Sequence, residues 1–315
     1  MTVETEDERD AREWIELARR GDFESAWTVS DRILERHTAR PDFARPRHVQ
    51  SIWTGESLHA RRVLVRCYHG LGDTIQFIRY VPSLRAIARE VIVWAPPALL
   101  PLLQSVGGID RLLPLHDGAP EVDYDVDVEV MELPFVFRTT LHTIPQRVPY
   151  LHAPASSLPG VRPRVGLVWR CGDWERHRSL PFDRIAPLLE IERFTWCSLQ
   201  LGRRPQETHA RLLDVSAPGV QDAAARIAAL DLLITIDSMP AHLAGALGVP
   251  VWTLLLKDAD WRWMETGETT PWYPTMRLFR QQRDGDWEDV IERVRVALAR
   301  GIHLPPEGGS HTGDK

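Results

Sequence analysis

Asp237, Ser238 and His242 stand where a predicted strand runs into a predicted helix, and this arrangement indicates an anion-binding site. The strand is the apolar run 232–236, and Pro240 begins a helix of small residues. A helix N-terminus offers unpaired N–H groups and the positive end of the helix dipole. The segment therefore fits the diphosphate of a nucleotide sugar. An ordinary βαβ unit, with Asp237 and Ser238 as its helix cap, explains the same residues.

A second strand-to-helix turn reads Gly-Leu-Gly-Asp. Gly70 and Gly72 let the backbone come close to a ligand, and Asp73 places a carboxylate near the loop, where it can take a proton from an acceptor hydroxyl. A dinucleotide-binding turn is disfavoured, because Ile75 replaces the third glycine and no acid follows the strand at 91–94. The alternative is that Asp73 only caps its helix.

A basic cluster, Arg176-His177-Arg178, follows the predicted strand 164–169. Guanidinium groups neutralise a diphosphate, and arginine can do so with two parallel N–H donors. We assign Gly172, in the same loop, to the same site. A solvated charge cluster, with Ser179 as a helix cap, is the other interpretation.

Trp261 and Trp272 belong to an aromatic loop near the end of the chain. Aromatic rings stack well on a nucleobase or a sugar ring, so we assign both to a ligand-facing loop. The alternative is that these rings cover a seam between domains.

Four acids alternate with apolar residues between positions 122 and 129, and a period of two would place all four on one face of a strand. An edge strand with one wet face is favoured over a metal site, because hard cations prefer ligands that converge from a loop. The acids are Asp123, Asp125, Asp127 and Glu129.

Composition limits the class of protein. The chain has 315 residues, 43% hydrophobic and 26% charged, which is typical of soluble proteins and sufficient for two buried cores. A net charge of −6 argues against a nucleic-acid partner. Three scattered cysteines fit neither a zinc pattern nor a disulfide framework. With no predicted signal peptide or membrane span, we expect a cytoplasmic protein, either free or peripheral at the inner membrane.

Strands and helices alternate along the sequence, which predicts parallel sheets covered by helices. Residues 9–36 form a pair of helices that resembles one unit of a helical repeat, and such a unit must pack on the body or on a partner. The stretch 150–163, rich in proline and small residues, is the predicted linker. The predicted regions are a helical pair with its linker, two Rossmann-like domains and a disordered tail, at 1–50, 51–155, 156–300 and 301–315.

Two such domains are expected to face each other across a cleft, with both candidate sites at the carboxyl ends of strands. In the first domain a helix is predicted at 74–88 and a strand at 122–130. The predicted elements of the second domain are the strands 164–169, 194–199, 232–236 and 250–255 and the helices 181–190, 205–213, 221–230 and 240–247.

Together these segments resemble glycosyltransferase family 9, which includes the lipopolysaccharide heptosyltransferases, over about residues 50–300. The motifs are Gly-Leu-Gly-Asp-Thr-Ile-Gln-Phe at 70–77, Asp237-Ser238 with Ala-His-Leu-Ala at 241–244, Pro-Trp-Tyr-Pro at 271–274 and Met-Arg-Leu-Phe-Arg-Gln at 276–281. The likeness is greatest to the bacterial branch that carries tetratricopeptide repeats before the transferase, and the helical pair looks like a truncated form of that array.

The resemblance implies an α/β protein of the GT-B fold and an inverting transfer from a nucleotide-activated sugar, without a metal or other cofactor. The acceptor could be a saccharide, a protein or a small molecule. A non-catalytic binding or scaffold protein and a sugar-nucleotide epimerase are the alternatives, and the helical pair would serve a homodimer or a protein partner. The resemblance implies Asp73 as the base and Arg178, Asp237, Ser238 and His242 as donor-binding residues. We add Gly172, Arg176 and Met239 to the donor-binding set and assign Gly70, Gly72, Gln76, Trp261 and Trp272 to the acceptor and the loops.

This sequence departs from the family pattern in three respects. Met239 stands where the family has a small residue, and the loop 170–178 is shorter than the family's usual version. Arg178 replaces the family's phosphate-binding lysine, which keeps the charge and changes the shape of the group.

Overall fold

Helices or 3-10 segments lie between most successive strands, as the sequence pattern predicts, and the paired strands run parallel. The structure, a computed structural model, describes residues 5–36, 43, 46–47 and 50–302. The chain divides into two units, Met1–His152 and Ala153–Lys315, and each has its own parallel sheet. The predicted disordered tail, apart from residues 301–302, lies outside the described residues.

The first unit contains a four-stranded sheet in the order β3-β2-β1-β4. The central strands are buried apolar runs, and the edge strands are shorter. The strands are β1 Arg62–Arg66, β2 Glu90–Ala95, β3 Arg111–Pro114 and β4 Val126–Glu129. The helices are α1 Glu6–Arg20, α2 Phe23–Arg36, α3 Leu71–Phe77, α4 Val81–Ile87, α5 Leu100–Leu103 and α6 Leu133–Val136, with 3-10 turns at Ile78–Tyr80, Pro97–Leu99 and Val130–Glu132.

The second unit contains a six-stranded sheet in the order β10-β9-β8-β5-β6-β7. Its strands are β5 Arg164–Val168, β6 Thr195–Ser198, β7 Leu212–Asp214, β8 Leu232–Ile236, β9 Val251–Leu255 and β10 Met276–Arg280. Its helices are α7 Phe182–Ile185, α8 Val220–Ile227, α9 Met239–Ala246 and α10 Trp287–Arg300, with 3-10 segments at Asp173–Arg178, Ala186–Glu190 and Trp261–Trp263. In the described part of the chain, no helix has the length and apolar character that a membrane crossing requires.

Each sheet has a point at which the order of its strands reverses. β1 lies between β2 and β4 in the first unit, and β5 lies between β6 and β8 in the second. Ligands of open α/β sheets bind outside the carboxyl ends of the strands at such a reversal, because the loops on its two sides diverge there. The reversal lies between β1 and β4 in the first unit and between β5 and β8 in the second. The residues that follow these four strands are therefore the first place to look for a site in each unit.

The N-terminal helical pair packs on the body of the first unit. The indole N–H of Trp27 donates a hydrogen bond of 2.6 Å to the carbonyl of Thr139, and the Trp27 ring lies 5.8 Å from that of Phe135. Arg138 donates two hydrogen bonds to Asp31, at 2.6 and 2.8 Å. The body of the unit thus supplies the surface on which this pair was expected to pack.

Several local predictions are wrong. The predicted helix 205–213 is a series of turns that leads into β7, where Leu212 pairs with Trp196 in the sheet. The predicted helix 74–88 begins earlier, at Leu71, and is broken by a 3-10 turn before α4, because Pro82 has no N–H for the helical ladder. The predicted strand 122–130 extends only over Val126–Glu129.

Candidate functional site

In the first unit, Asp73 lies just beyond the carboxyl end of β1, in the first turn of α3. Its Oδ2 accepts a hydrogen bond of 3.0 Å from the N–H of Gly70, so Asp73 does cap the start of its helix. A carboxylate has two oxygens and several acceptor positions, and Asp73 is only partly buried. Capping therefore leaves a role as a proton acceptor open.

The neighbours of Asp73 occupy different environments. Gly70 is exposed, and a Cβ at this position would lie 3.1 Å from Asp73 Oδ2, so glycine leaves room for the cap. Gly72 is partly exposed. Gln76 is fully buried, and neither atom of its amide has a hydrogen-bond partner among the described residues. Gln76 thus faces the interior of the unit, which does not suit direct contact with an acceptor.

Glu129, at the end of β4, is buried, whereas the sequence analysis placed it on a wet strand face. Its side chain is 2% exposed, and its Oε1 lies 3.0 Å from Nδ1 of His69. The same carboxylate accepts hydrogen bonds from the N–H groups of Tyr68 and Met131, at 3.1 and 2.6 Å. Glu129 thus joins the segments that follow β1 and β4, at the reversal of strand order.

The predicted wet face of the acidic strand is wrong for two of its four acids. Glu129 is buried, and the Asp127 carboxylate lies 2.6 Å from the largely buried Arg66. Asp123 and Asp125 precede the strand, and Asp125 accepts a hydrogen bond of 2.9 Å from Arg62. An acid at the last position of a strand next to the reversal was the available signal for Glu129.

Glu132 adds a second carboxylate, which is partly buried, to this region. It accepts hydrogen bonds from the N–H groups of Ile52, Trp53 and Glu129, at 3.1, 3.1 and 2.8 Å. Burial raises the pKa of Glu132 to about 7, although these three N–H groups favour the ionised form. Glu132 therefore fastens residues 52–53 to the segment after β4.

In the second unit, Arg178 and Asp237 meet at the reversal of strand order. Arg178 belongs to the segment after β5 and Asp237 directly follows β8. The guanidinium Nη1 lies 2.9 Å from Asp237 Oδ2, and Arg178 also pairs with Glu175. The side chain of Arg178 is 23% exposed and that of Asp237 only 8%. A cation is thus held at the place where an anionic ligand of this fold binds.

The charge on Asp237 depends on its surroundings. Burial raises the pKa of Asp237 to about 6; the Arg178 charge opposes this shift, and the neighbouring Asp260 adds to it. Asp260 pairs with the largely buried Arg262, at 2.8 Å. Three carboxylates, those of Glu175, Asp237 and Asp260, therefore share this region with the guanidinium groups of Arg178 and Arg262.

The first turn of α9 offers fewer N–H donors than the sequence analysis assumes. Pro240 has no N–H, and that of Ala241 is donated to the Ser238 carbonyl, at 2.9 Å. The Ser238 hydroxyl donates to the carbonyl of Ile236, at 3.3 Å, and makes no capping hydrogen bond. Met239 is partly exposed at the start of the helix. Positions 240 and 241 therefore offer no N–H group to an anion.

His242 is buried on α9 among aromatic side chains. Its Nδ1 lies 3.0 Å from the hydroxyl of Tyr273, and its ring stacks on that of Trp263 with centroids 5.2 Å apart. Trp272 is fully buried and makes an edge contact of 5.9 Å with Trp261, which is partly exposed. Trp261 can therefore face a ligand, whereas Trp272 packs beneath it.

A cavity of about 530 Å³ lies beside the loop that follows β5. Arg170, Arg176 and Phe182 line it, and Arg170 donates to both carboxylate oxygens of Glu207, at 2.6 and 2.7 Å. Gly172 is exposed in the same loop, and a Cβ there would meet nothing within 4 Å. A close contact within the protein therefore does not explain why this residue is a glycine.

Solved structures with the same fold are glycosyltransferases. The chain matches the ADP-heptose lipopolysaccharide heptosyltransferase II of E. coli with a TM-score of 0.55 at 16% identity, over 76% of this chain and 98% of that one. A family 9 glycosyltransferase of Veillonella parvula DSM 2008 gives 0.54 at 12% identity, over 80% and 92%. The iron-containing dodecameric glycosyltransferase TibC of enterotoxigenic E. coli H10407 gives 0.51 at 12% identity, over 76% and 71%.

These matches establish the fold class. It is the predicted α/β fold with two parallel sheets, as in the GT-B-like heptosyltransferases of glycosyltransferase family 9, with an N-terminal helical pair. Protein FlbA of Caulobacter vibrioides is 26% identical over 288 residues, covering 78% of this chain and 48% of FlbA. The chain thus spans about half the length of this curated relative. A comparison with models of protein families finds no match.

TibC is described as containing iron, which raises the question of a metal site in this chain. Within the described residues, no three His, Cys, Asp or Glu side chains come together as metal ligands would.

The raised pKa of Asp237 predicts how anion binding changes with pH. A bound diphosphate repels the Asp237 carboxylate and raises its pKa further, so binding takes up a proton and strengthens as the pH falls from about 7 to about 5. We expect the ratio of the wild-type Kd to the D237N Kd to fall about threefold to tenfold over this range. Isothermal titration with ADP measures both constants. Protonation of ADP itself affects both Kd values equally, so its effect cancels in the ratio. A ratio that does not change with pH would contradict the prediction.

Proposed function

We propose that this protein is a glycosyltransferase that moves a sugar from a nucleotide-activated donor to an acceptor hydroxyl, with inversion and without a metal. The observation that carries the proposal is the Arg178–Asp237 pair, 2.9 Å apart at the strand reversal of the second unit. This is where a nucleotide binds in a sheet of this order. The shared fold with heptosyltransferases supports the same conclusion.

The second unit binds the donor in this proposal. Arg178 meets the diphosphate with a planar set of N–H donors that suits phosphate oxygens. Ser238, Met239 and His242 line the start of α9, and Arg176 and Gly172 lie on the loop that follows β5. As the bond to the sugar breaks, negative charge grows on the leaving diphosphate, and a preorganised cation lowers the energy of that state.

The first unit supplies the base in this proposal. Asp73 takes the proton from the acceptor hydroxyl as that oxygen attacks the anomeric carbon from the face opposite the leaving group, which inverts the configuration. The hydrogen bond from the N–H of Gly70 to Asp73 Oδ2 holds the carboxylate in place. Trp261, which is partly exposed in the second unit, remains a candidate for stacking on a ring of the donor or the acceptor.

The sugar and the nucleotide are the next parts of the proposal. A solved TibC structure contains ADP-D-β-D-heptose, so ADP-linked sugars are the first donors to test. We further propose that the helical pair is a remnant of a tetratricopeptide array and that it serves a homodimer or a protein partner. The proposed location is the cytoplasm, where the protein is either free or peripheral at the inner membrane.

Ligand binding by the purified protein tests the proposal. We expect one of ADP, GDP or UDP, and the corresponding nucleotide sugars, to raise the melting temperature and to bind in isothermal titration, since a ligand of the folded state stabilises it by mass action. With a donor that binds, release of nucleoside diphosphate should persist in EDTA. Failure of every nucleotide to bind would contradict the proposal and favour a scaffold protein. Conversion of a donor sugar into its epimer without an acceptor would favour an epimerase.

A further inference from the structure

Tyr273 is a fully buried tyrosine that has no role in the proposed mechanism. Its hydroxyl forms a hydrogen bond of 3.0 Å with Nδ1 of His242. The two ring centroids lie 5.9 Å apart in an edge arrangement. Trp263 stacks on the same imidazole at 28° between ring planes. One hydrogen bond and two ring contacts thus fix the orientation of His242.

The approach of Tyr273 to α9 requires a glycine at position 245. Gly245 lies one helical turn after His242, and a Cβ there would lie 2.4 Å from Cδ1 of the Tyr273 ring. That distance is too short for a nonbonded contact between carbons, so any side chain at 245 would push the ring away. Glycine is unfavourable inside a helix, and this contact explains its presence here.

The hydrogen bond between Tyr273 and His242 determines which nitrogen of a neutral imidazole carries the proton. A phenol O–H, with a pKa of about 10, is more acidic than the N–H of neutral imidazole and is the better donor. When the hydroxyl donates to Nδ1, the imidazole proton resides on Nε2. The Nε2–H group is then a donor, which suits a phosphate oxygen.

We propose that Tyr273 is a positioning residue that holds His242 as an Nε2–H donor to the diphosphate of the nucleotide-sugar donor. The proposal rests on the proposed function, because it assumes that the second unit binds such a donor. Tyr273 acts through His242, so its removal weakens diphosphate binding by changing the tautomer and the orientation of the imidazole.

A double-mutant cycle tests the link between the two residues. The probe is whichever of ADP, GDP or UDP the wild type binds most tightly, and isothermal titration gives its Kd for the wild type, Y273F, H242Q and the double variant. We expect Y273F to raise the Kd about threefold to tenfold in the wild type, the effect of one lost hydrogen bond. A glutamine at 242 offers an NH₂ donor near the position of Nε2 and has no tautomers, so Y273F should then change the Kd less than about twofold.

Equal effects of Y273F in both backgrounds would overturn the proposal, and so would no effect of Y273F in the wild type. An equal effect would show that the hydroxyl only supports the packing of the loop. Phenylalanine keeps the ring that fills the space beside Gly245, so the fold should tolerate the change.

The tautomer of His242 can also be measured without any ligand. The ¹⁵N chemical shifts of the two imidazole nitrogens distinguish Nε2–H from Nδ1–H, and the H242Q spectrum identifies the signals of His242. We expect the Nε2–H form in the wild type and a mixture in Y273F; an Nδ1–H form in the wild type would overturn the proposal. If no nucleotide binds the wild type, the proposed function fails on that result, and the tautomer still shows whether Tyr273 sets the state of His242.

Discussion

Replacement of Asp73 with asparagine is expected to lower kcat by at least about a hundredfold, because a positioned general base typically contributes a factor of 10² to 10⁴. Asparagine keeps the shape of the side chain, and its Oδ1 can still accept the hydrogen bond that Asp73 Oδ2 receives from Gly70, at 3.0 Å. The start of α3 should therefore survive. Initial rates with a saturating donor measure kcat, and isothermal titration should show a nucleoside diphosphate Kd within about twofold of the wild type.

Asp22 provides a matched control for this variant. It also lies at the start of a helix in the first unit, where its Oδ1 accepts a hydrogen bond of 3.1 Å from the N–H of Ser25. Because D22N alters a hydrogen bond at a helix start that lies away from the strand reversal, it should leave kcat unchanged. A D73N protein with full activity on its acceptor would contradict the assignment of the base. A D73N protein that no longer binds the nucleotide would point to a structural role for Asp73.

Replacement of Arg178 with methionine is expected to lower kcat/KM by about 10² to 10³, the range seen when one group that stabilises transition-state charge is removed. Methionine keeps much of the length and the apolar part of the chain and removes only the guanidinium. The R178K variant keeps a positive charge and should recover part of the loss, because lysine binds phosphate as a point charge without the planar fork. Steady-state rates with varied donor concentration measure these changes.

Arg184 on α7 is the control for the loss of an arginine. Its side chain is 51% exposed and its Nη1 lies 3.4 Å from Glu288, and an exposed pair of this kind contributes little to stability. R184M should therefore match the wild type within about twofold. The Arg178 charge also lowers the pKa of Asp237, so R178M should raise that pKa and shift the pH dependence of binding upward. An R178M protein with wild-type donor affinity and kcat would contradict the role of Arg178, on which the proposed function depends.

The elements around the site were predictable from local sequence. β5 and β8 are mostly apolar, and their observed ends fall within a residue of the predicted ones, since burial on both faces of a parallel sheet leaves a clear signal. The failed helix 205–213 shows the limit of this reasoning. Its apolar residues cluster at its end, where Leu212 joins the sheet edge, and a short apolar run does not distinguish a helix from a strand.

The contacts between distant segments could not be read from the sequence. The loop that contains Trp261, Trp263, Trp272 and Tyr273 presents several aromatic residues of similar character, and only the packing decides which ones enter the core. Trp272 was expected to face a ligand and is buried, whereas Tyr273 and Trp263 contact His242. Likewise, Arg178 and Asp237 each carry a local signal, but their pairing depends on the order of β5 and β8.

The close contact of Gly245 with the Tyr273 ring has a consequence for the evolution of this protein. A methyl group at 245 would overlap the ring in its present place. A substitution at either position alone would therefore disturb His242. In an alignment of descendants that retain this histidine, we expect positions 245 and 273 to covary: glycine with an aromatic residue, and a larger residue only where the ring has been lost.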